Sequence, residues 1–132
     1  MKYFTIAELC RSNTADRLGI NNKCNQEHVS NLTALVDNVL DPLREAYGKP
    51  ITVNSGYRCP TLNKAVKGAA SSQHMTGQAA DIDTGDRQQN KLLFEYIRKN
   101  LPFDQLIDES NFAWVHVSYQ ADGKNRNQVL KL

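Results

Sequence analysis

A stripe of apolar residues (Val29, Leu32, Leu35, Val36, Val39, Leu40 and Leu43) recurs at helical spacing and constrains the fold more than any other feature of the chain. A face of that kind has to be buried, so a long amphipathic helix packed on a second layer is required. Asn25 is placed to cap its start, and Gly48 and Pro50 stop it. Pro42 has no N–H to donate and should kink or split the helix. At 132 residues, 40% of them hydrophobic, the chain is long enough to supply the second layer and a real core within one domain. No repeat, linker or low-complexity tract divides it, so residues 1–132 read as a single domain.

The other elements follow from local signals. Thr5 and Glu8 have capping-box spacing, and one helix is predicted from Ile6 to Leu18, ended by Gly19. The β-branched run ITVNS (51–55) reads as a strand, and Pro60 opens a short helix over 60–66. AADID (79–83) reads as a strand, and Asp86 caps a helix through Leu92, Leu93, Tyr96 and Ile97 that Asn100 and Pro102 close. FDQLIDE (103–109) and AWVHVSY (113–119) are near enough in sequence to form an antiparallel hairpin, and NQVLKL (127–132) reads as a last edge strand. Helices in front and short strands behind predict an α+β domain, with N-terminal helices packed on a mostly antiparallel sheet.

Charge and composition narrow the partners. A net charge of +2 is too small to predict a nucleic-acid partner. Lys124, Arg126 and Lys131 form a modest basic group near the C-terminus, read as solvated surface. No apolar run approaches a membrane span. The opening MKYFTIAELC lacks the apolar core and cleavage site of a secretory leader, which predicts cytoplasmic synthesis and, if exported, another route out. The three cysteines are odd in number and form no CxxC pair, which argues against a disulfide framework and against a thiolate zinc site. Cys10 reads as a small core residue, and Cys59, before Pro60, as an exposed loop thiol with no histidine base to activate it.

The segment SSQHMTGQAADIDTG (71–85) holds one of only three histidines, seven residues ahead of an aspartate. Strand alternation puts Asp81 and Asp83 on one face of 79–83, and Trp114, His116 and Ser118 on one face of the hairpin's second strand. With Val115 and Val117 facing the core, His116 faces a cleft. His74 lies on the loop leading into the Asp81 strand, and Gly77 lets the chain turn between them. Two imidazoles and a carboxylate are a catalytic zinc set that leaves a coordination position open. The same residues also fit a turn with no metal, since aspartates beside glycine are common turn formers.

The motifs resolve this by resemblance. SQHMTGQAAD matches the SxHxxGxAxD signature of zinc D-alanyl-D-alanine carboxypeptidases, and SGYR (55–58) and WVHVSY (114–119) match that family's other blocks in order. SGYRCPTLNKAVKGAASSQH is similar to its phage endolysin and cell-wall peptidase branch, and FTIAELCRSNTADRLGI to the opening of its small single-domain members. The resemblance implies the α+β fold shared with vancomycin-resistance D-Ala-D-Ala dipeptidases and the hedgehog signalling domain. It implies zinc held by His74, Asp81 and His116, with Asp83 the rival to Asp81 on the same strand face. It implies that Arg58 neutralises a substrate carboxylate or a developing oxyanion. His28 is expected to be a helix-surface residue with no metal role.

One departure stands out. Many relatives carry an acid three positions before the last histidine, and here that position is Ala113. Glu109, at the end of the preceding strand, is the expected general base, with Asp108 and Asp104 as alternatives. The implied function is hydrolysis of a peptide bond in the peptidoglycan stem peptide, as a D-Ala-D-Ala carboxypeptidase or an endopeptidase of L-Ala–D-Glu type. Release to the wall by a phage-type pore partner fits, as does a housekeeping role. The competing expectation is a zinc-containing wall-binding or structural module that has lost turnover.

Overall fold

A computed structural model describes residues 1–132. The long apolar stripe forms helix α3 (Gln26–Leu35), a π-helical turn (Val36–Leu40) and helix α4 (Asp41–Tyr47) in one continuous run. Asn25 caps it as predicted, accepting from the His28 N–H while the His28 ring accepts from the Asn25 N–H. Pro42 splits the ladder without ending it. The N–H of Asp41 reaches back to the Val36 carbonyl, and the wider turn carries the chain into α4, where Pro42 sits in the first turn and needs no donor.

The predicted helix over Ile6–Leu18 is two helices, α1 (Ile6–Cys10) and α2 (Asn13–Leu18). Arg11 is extended, and the Ser12 hydroxyl caps the second helix by accepting from the Ala15 N–H. The absence of a disulfide is also overturned: Cys10 and Cys24 are bonded, with Cα atoms 6.5 Å apart. Counting cysteines failed because two pair and Cys59 alone is free. Cys59 is half-buried rather than exposed, and its sulfur caps helix α5 (Pro60–Ala65) by accepting from the Leu62 N–H.

Strands β1 (Thr52–Ser55), β2 (Ala79–Asp83), β3 (Gln105–Glu109), β4 (Trp114–Ser118) and β5 (Gln128–Lys131) form one sheet in the order β1-β2-β4-β3-β5. All pairs are antiparallel except β3 with β5, which run parallel, so β5 is the predicted edge strand and the sheet is mostly antiparallel. Val53, Ala80, Ile82, Leu106, Val115 and Val117 point to one face and share a single core with the α3–α4 stripe and with Leu93, Phe94 and Ile97 of helix α6 (Arg87–Asn100). Alternation therefore sends Asp81, Ile107, Glu109, Trp114 and His116 to the other face, where a cleft of about 540 Å³ opens. No helix is long and apolar enough to cross a membrane.

Candidate metal centre

A 3₁₀ turn (Gln73–Thr76) carries His74; the Ser72 hydroxyl caps it and Gly77, at φ +78°, ends it. A side chain at Gly77 would be strained by that φ and would press within 2.7 Å of the His28 carbonyl, so the motif glycine is what lets the turn enter β2. His74 is buried, 1% exposed. Its Nδ1 lies 2.7 Å from the Gly56 carbonyl. A carbonyl only accepts, so Nδ1 carries the proton and Nε2 presents a bare lone pair. Gly56 is required in turn, because a Cβ there would overlap the Leu9 carbonyl oxygen.

Asp81 and His116 are direct register partners on β2 and β4. His116 Nδ1 lies 3.0 Å and His74 Nε2 3.3 Å from the same oxygen, Asp81 Oδ1. One donor atom from each of His74, Asp81 and His116 lies within 4.8 Å of the others. Burial works to raise the Asp81 carboxyl; hydrogen bonding and charge from the imidazoles of His116 and His74, when they are protonated, work against it and lower the group. Two acceptors, His74 Nε2 and Asp81 Oδ1, thus face one another in a buried place. Nε2 makes no hydrogen bond of good geometry, although Asp81 Oδ1 lies 3.3 Å from it. A bound cation resolves the contact, and the two-nitrogen, one-carboxylate donor set fits zinc. Asp83 does not join them. It accepts from Asn90 Nδ2 and the Gly85 N–H instead.

Arg58 lies beside the centre, its side chain only 16% exposed. Nε donates to Ser55 Oγ at 2.9 Å, Nη1 to Asn63 Oδ1 at 3.3 Å and Nη2 to Asp81 Oδ2 at 3.3 Å. The arginine therefore braces the second oxygen of the carboxylate whose first oxygen faces the histidines. Two of its five N–H groups are left unpaired. Glu109 pairs in register with Trp114, two register positions along the ladder from Ile107 and His116 and on the same face, and both side chains line the cleft. Burial raises the Glu109 carboxyl, and the charge of Asp81 adds to the rise.

The alternatives to Glu109 are occupied elsewhere. Asp108 is buried and accepts from the Phe112 N–H at 2.6 Å. Asp104 is wholly buried and saturated by Arg126, Gln73 and Gln120. Arg126 is exposed, as expected of that basic group, and is in addition ion-paired to Asp104 at 2.6 Å and part of the cleft wall. His28 lies outside the metal cluster, with its ring stacked 4.1 Å from that of Tyr57.

Sequence reasoning missed Asn22. Its Nδ2 donates to the carbonyls of Cys10 and Tyr57, and its Oδ1 accepts from the Cys59 N–H at 2.7 Å. The disulfide, Asn22 and the loop 56–59 thus form one brace behind His74, completed where the Arg58 N–H donates to the His74 carbonyl. An asparagine between two cysteines carries no local signal for this, because its partners lie 12 to 37 residues away.

Comparison with known proteins agrees with this geometry. A family model described as Peptidase M15 matches residues 2–118. The zinc D-Ala-D-Ala carboxypeptidase of Streptomyces albus G is 42% identical over 76 residues, a stretch covering 50% of this chain and 30% of that relative's length. With the match running through the His74, Asp81 and His116 blocks alike, the chain belongs to the Peptidase M15 family.

Proposed function

We propose that the chain is a zinc-dependent peptidase that hydrolyses an amide bond of the peptidoglycan stem peptide. The observation that carries this is the unpaired Nε2 of buried His74, set 3.3 Å from Asp81 Oδ1 on the floor of an open cleft beside His116. Zinc held by His74, Asp81 and His116 would supply Lewis-acid polarisation of the substrate carbonyl and would lower the pKa of water towards about 7. Glu109, as a carboxylate, takes a proton from the attacking water and returns it to the leaving nitrogen. Its position supports the role: it faces the cleft, is half-buried, and makes no hydrogen bond within the protein that would have to break first. Arg58 keeps the Asp81 carboxylate in place, and its unpaired N–H groups are available to a developing oxyanion.

The Streptomyces relative's name favours the terminal D-Ala-D-Ala bond, and an endopeptidase cut such as L-Ala–D-Glu uses the same chemistry in a differently filled cleft. The Cys10–Cys24 disulfide suits work in an oxidising compartment, where the wall lies. Ala113, in place of the acid that many relatives carry, is the one feature favouring a binding module without turnover. Purified protein incubated with defined muropeptides, with and without chelator, separates the two. Mass spectrometry should show one bond cut, the cut lost on chelation and restored by zinc. Zinc-loaded protein that leaves every muropeptide intact would establish the binding module instead.

A further inference from the structure

Arg126 stands on a wall of the cleft built by β5 and the loop before it, and this wall lies beyond the family-matched residues 2–118. Its guanidinium is gripped by one edge only. Nε donates to Asp104 Oδ1 at 3.0 Å and Nη2 to Asp104 Oδ2 at 2.6 Å, and the Arg126 backbone N–H donates to Oδ1 as well. Asp104 is itself 0% exposed and is fixed by Gln73, the neighbour of His74, and by Gln120. A guanidinium has five N–H groups. The grip uses two of them, so both on Nη1 and the second on Nη2 have no protein partner.

That outer edge is not covered: the side chain is 52% exposed and lines the same cleft as His74, Asp81 and His116. Two parallel N–H groups on a fixed plane match a carboxylate. Because Asp104 offsets much of the charge, recognition here comes from directed hydrogen bonds on a side chain already held in place, which loses little rotamer freedom on binding. Leu130 and Leu132 line the same cleft and offer apolar surface beside the guanidinium.

The geometry points to Arg126 as a specificity-determining residue whose free edge receives a carboxylate of the peptide, away from the bond being cleaved. The identity of the ligand rests on the peptidase reading above. A stem peptide offers two such groups, the C-terminal carboxylate and the α-carboxylate of its γ-linked D-glutamate, and amidation tells them apart.

The test uses L-Ala-γ-D-Glu-L-Lys-D-Ala-D-Ala in three forms: both carboxylates free, the C-terminus amidated, and the D-Glu α-carboxylate amidated. Kd is read from the stopped-flow fluorescence change of Trp114, the only tryptophan and a cleft residue, in the phase before any cleavage, on zinc-loaded wild type and Arg126→Lys. Lysine keeps a cation on Asp104 while removing the fork. Wild type should bind an amidated form about tenfold more weakly than the parent, as expected for losing a charge-assisted pair of hydrogen bonds. Arg126→Lys should reduce that acid-to-amide preference to under about twofold, and the form whose preference it erases names the carboxylate. Equal binding of all three forms by wild type overturns the assignment without reference to any variant. So does full preference retained in Arg126→Lys. Cleavage is followed in parallel by mass spectrometry: peptide bound but never cut overturns the peptidase reading, while the subsite is judged on Kd alone.

Discussion

Asp81 and Asp104 are both buried carboxylates paired with an arginine, and the cleft depends on both, yet they are finished differently. At Asp104 every accepting position is taken, by Arg126 three times over and by Gln73 and Gln120, and it is the arginine that reaches solvent. At Asp81 the arginine is the buried partner and takes only Oδ2, while Oδ1 is left facing two imidazole nitrogens, one of them without a hydrogen bond. A saturated carboxylate is an anchor. A carboxylate with valence left over among lone pairs is a place for a cation. Substitutions around Asp81 should therefore change chemistry and metal content, and substitutions around Asp104 should change stability and, at Arg126, the preference for a carboxylate.

The largest effect is expected at the open end of the comparison. His74→Ala and His116→Ala should lose zinc, measured by elemental analysis, with activity falling to background, while His28→Ala keeps close to one equivalent. Full zinc retention in His116→Ala, or loss in His28→Ala, would sink the ligand assignment. Asp81→Asn should likewise hold metal less well than Asp83→Asn, whose native side chain serves Asn90 and Gly85.

Next in size is Glu109→Gln, which keeps the shape and removes the base. It should leave zinc bound and lower kcat by about 10²–10⁴-fold. Near-normal turnover would remove Glu109 from the mechanism. Since Asp104 and Asp108 are already engaged, the proton would then have to be taken by a group outside the carboxylates considered.

Third comes Arg58→Lys. Loss of the brace on Asp81 Oδ2 should cut turnover by about 10–100-fold with zinc remaining near one equivalent. Wild-type cleavage of muropeptides by this variant would reduce Arg58 to a structural cation.

The smallest effect of the four is expected at the closed pair. Arg126→Ala should remove the charged partner of Asp104 and lower stability by about 1 kcal/mol, since Gln73 and Gln120 still donate and the half-exposed arginine leaves solvent to screen part of the loss. Arg126, with the Gln120 and Gln73 amides, holds the Asp104 carboxyl well below its ordinary value. A depressed folded pKa contributes stability above the unfolded value of about 3.9 and loses it as pH falls through the folded one. Urea midpoints of wild type and variant should accordingly differ most at neutral pH and converge below about pH 4. A constant difference across that range would mean that the pair stabilises by packing and not by charge.

How much of this was legible depended on how far apart the partners lie. The meeting of His74, Asp81 and His116 was legible in part, because strand alternation puts Asp81 and His116 on one face and His74 lies on the loop before them. The choice of Asp81 and of a metal came from the resemblance to the SxHxxGxAxD signature. The long helix was readable from period alone, and Pro42 was rightly read as an interruption, though only coordinates show that a π turn absorbs it. The split of the first helix has a local signal in Ser12, a good N-cap, since a cap inside a helical stretch marks a new start. The disulfide and the Arg126 pairing had no local signal of this kind. Cys10 and Cys24 are 14 residues apart, and Asp104 and Arg126 are 22 apart.

By itself, then, the sequence determined the helices and strands, the burial of the α3–α4 stripe and the ligand candidates, because caps, turns and periodicity act over a few residues. Only the tertiary structure decided what those elements do to one another. It set the parallel docking of β5 that walls the cleft, the brace from Cys10–Cys24 through Asn22 to the loop behind His74, and the saturation of Asp104 by Arg126, Gln73 and Gln120. Each of these joins groups whose separation along the chain says nothing of their separation in space. A buried charge or an unpaired N–H is resolved by whatever partner the fold brings near, and that choice is made by packing of the whole sheet and its helices.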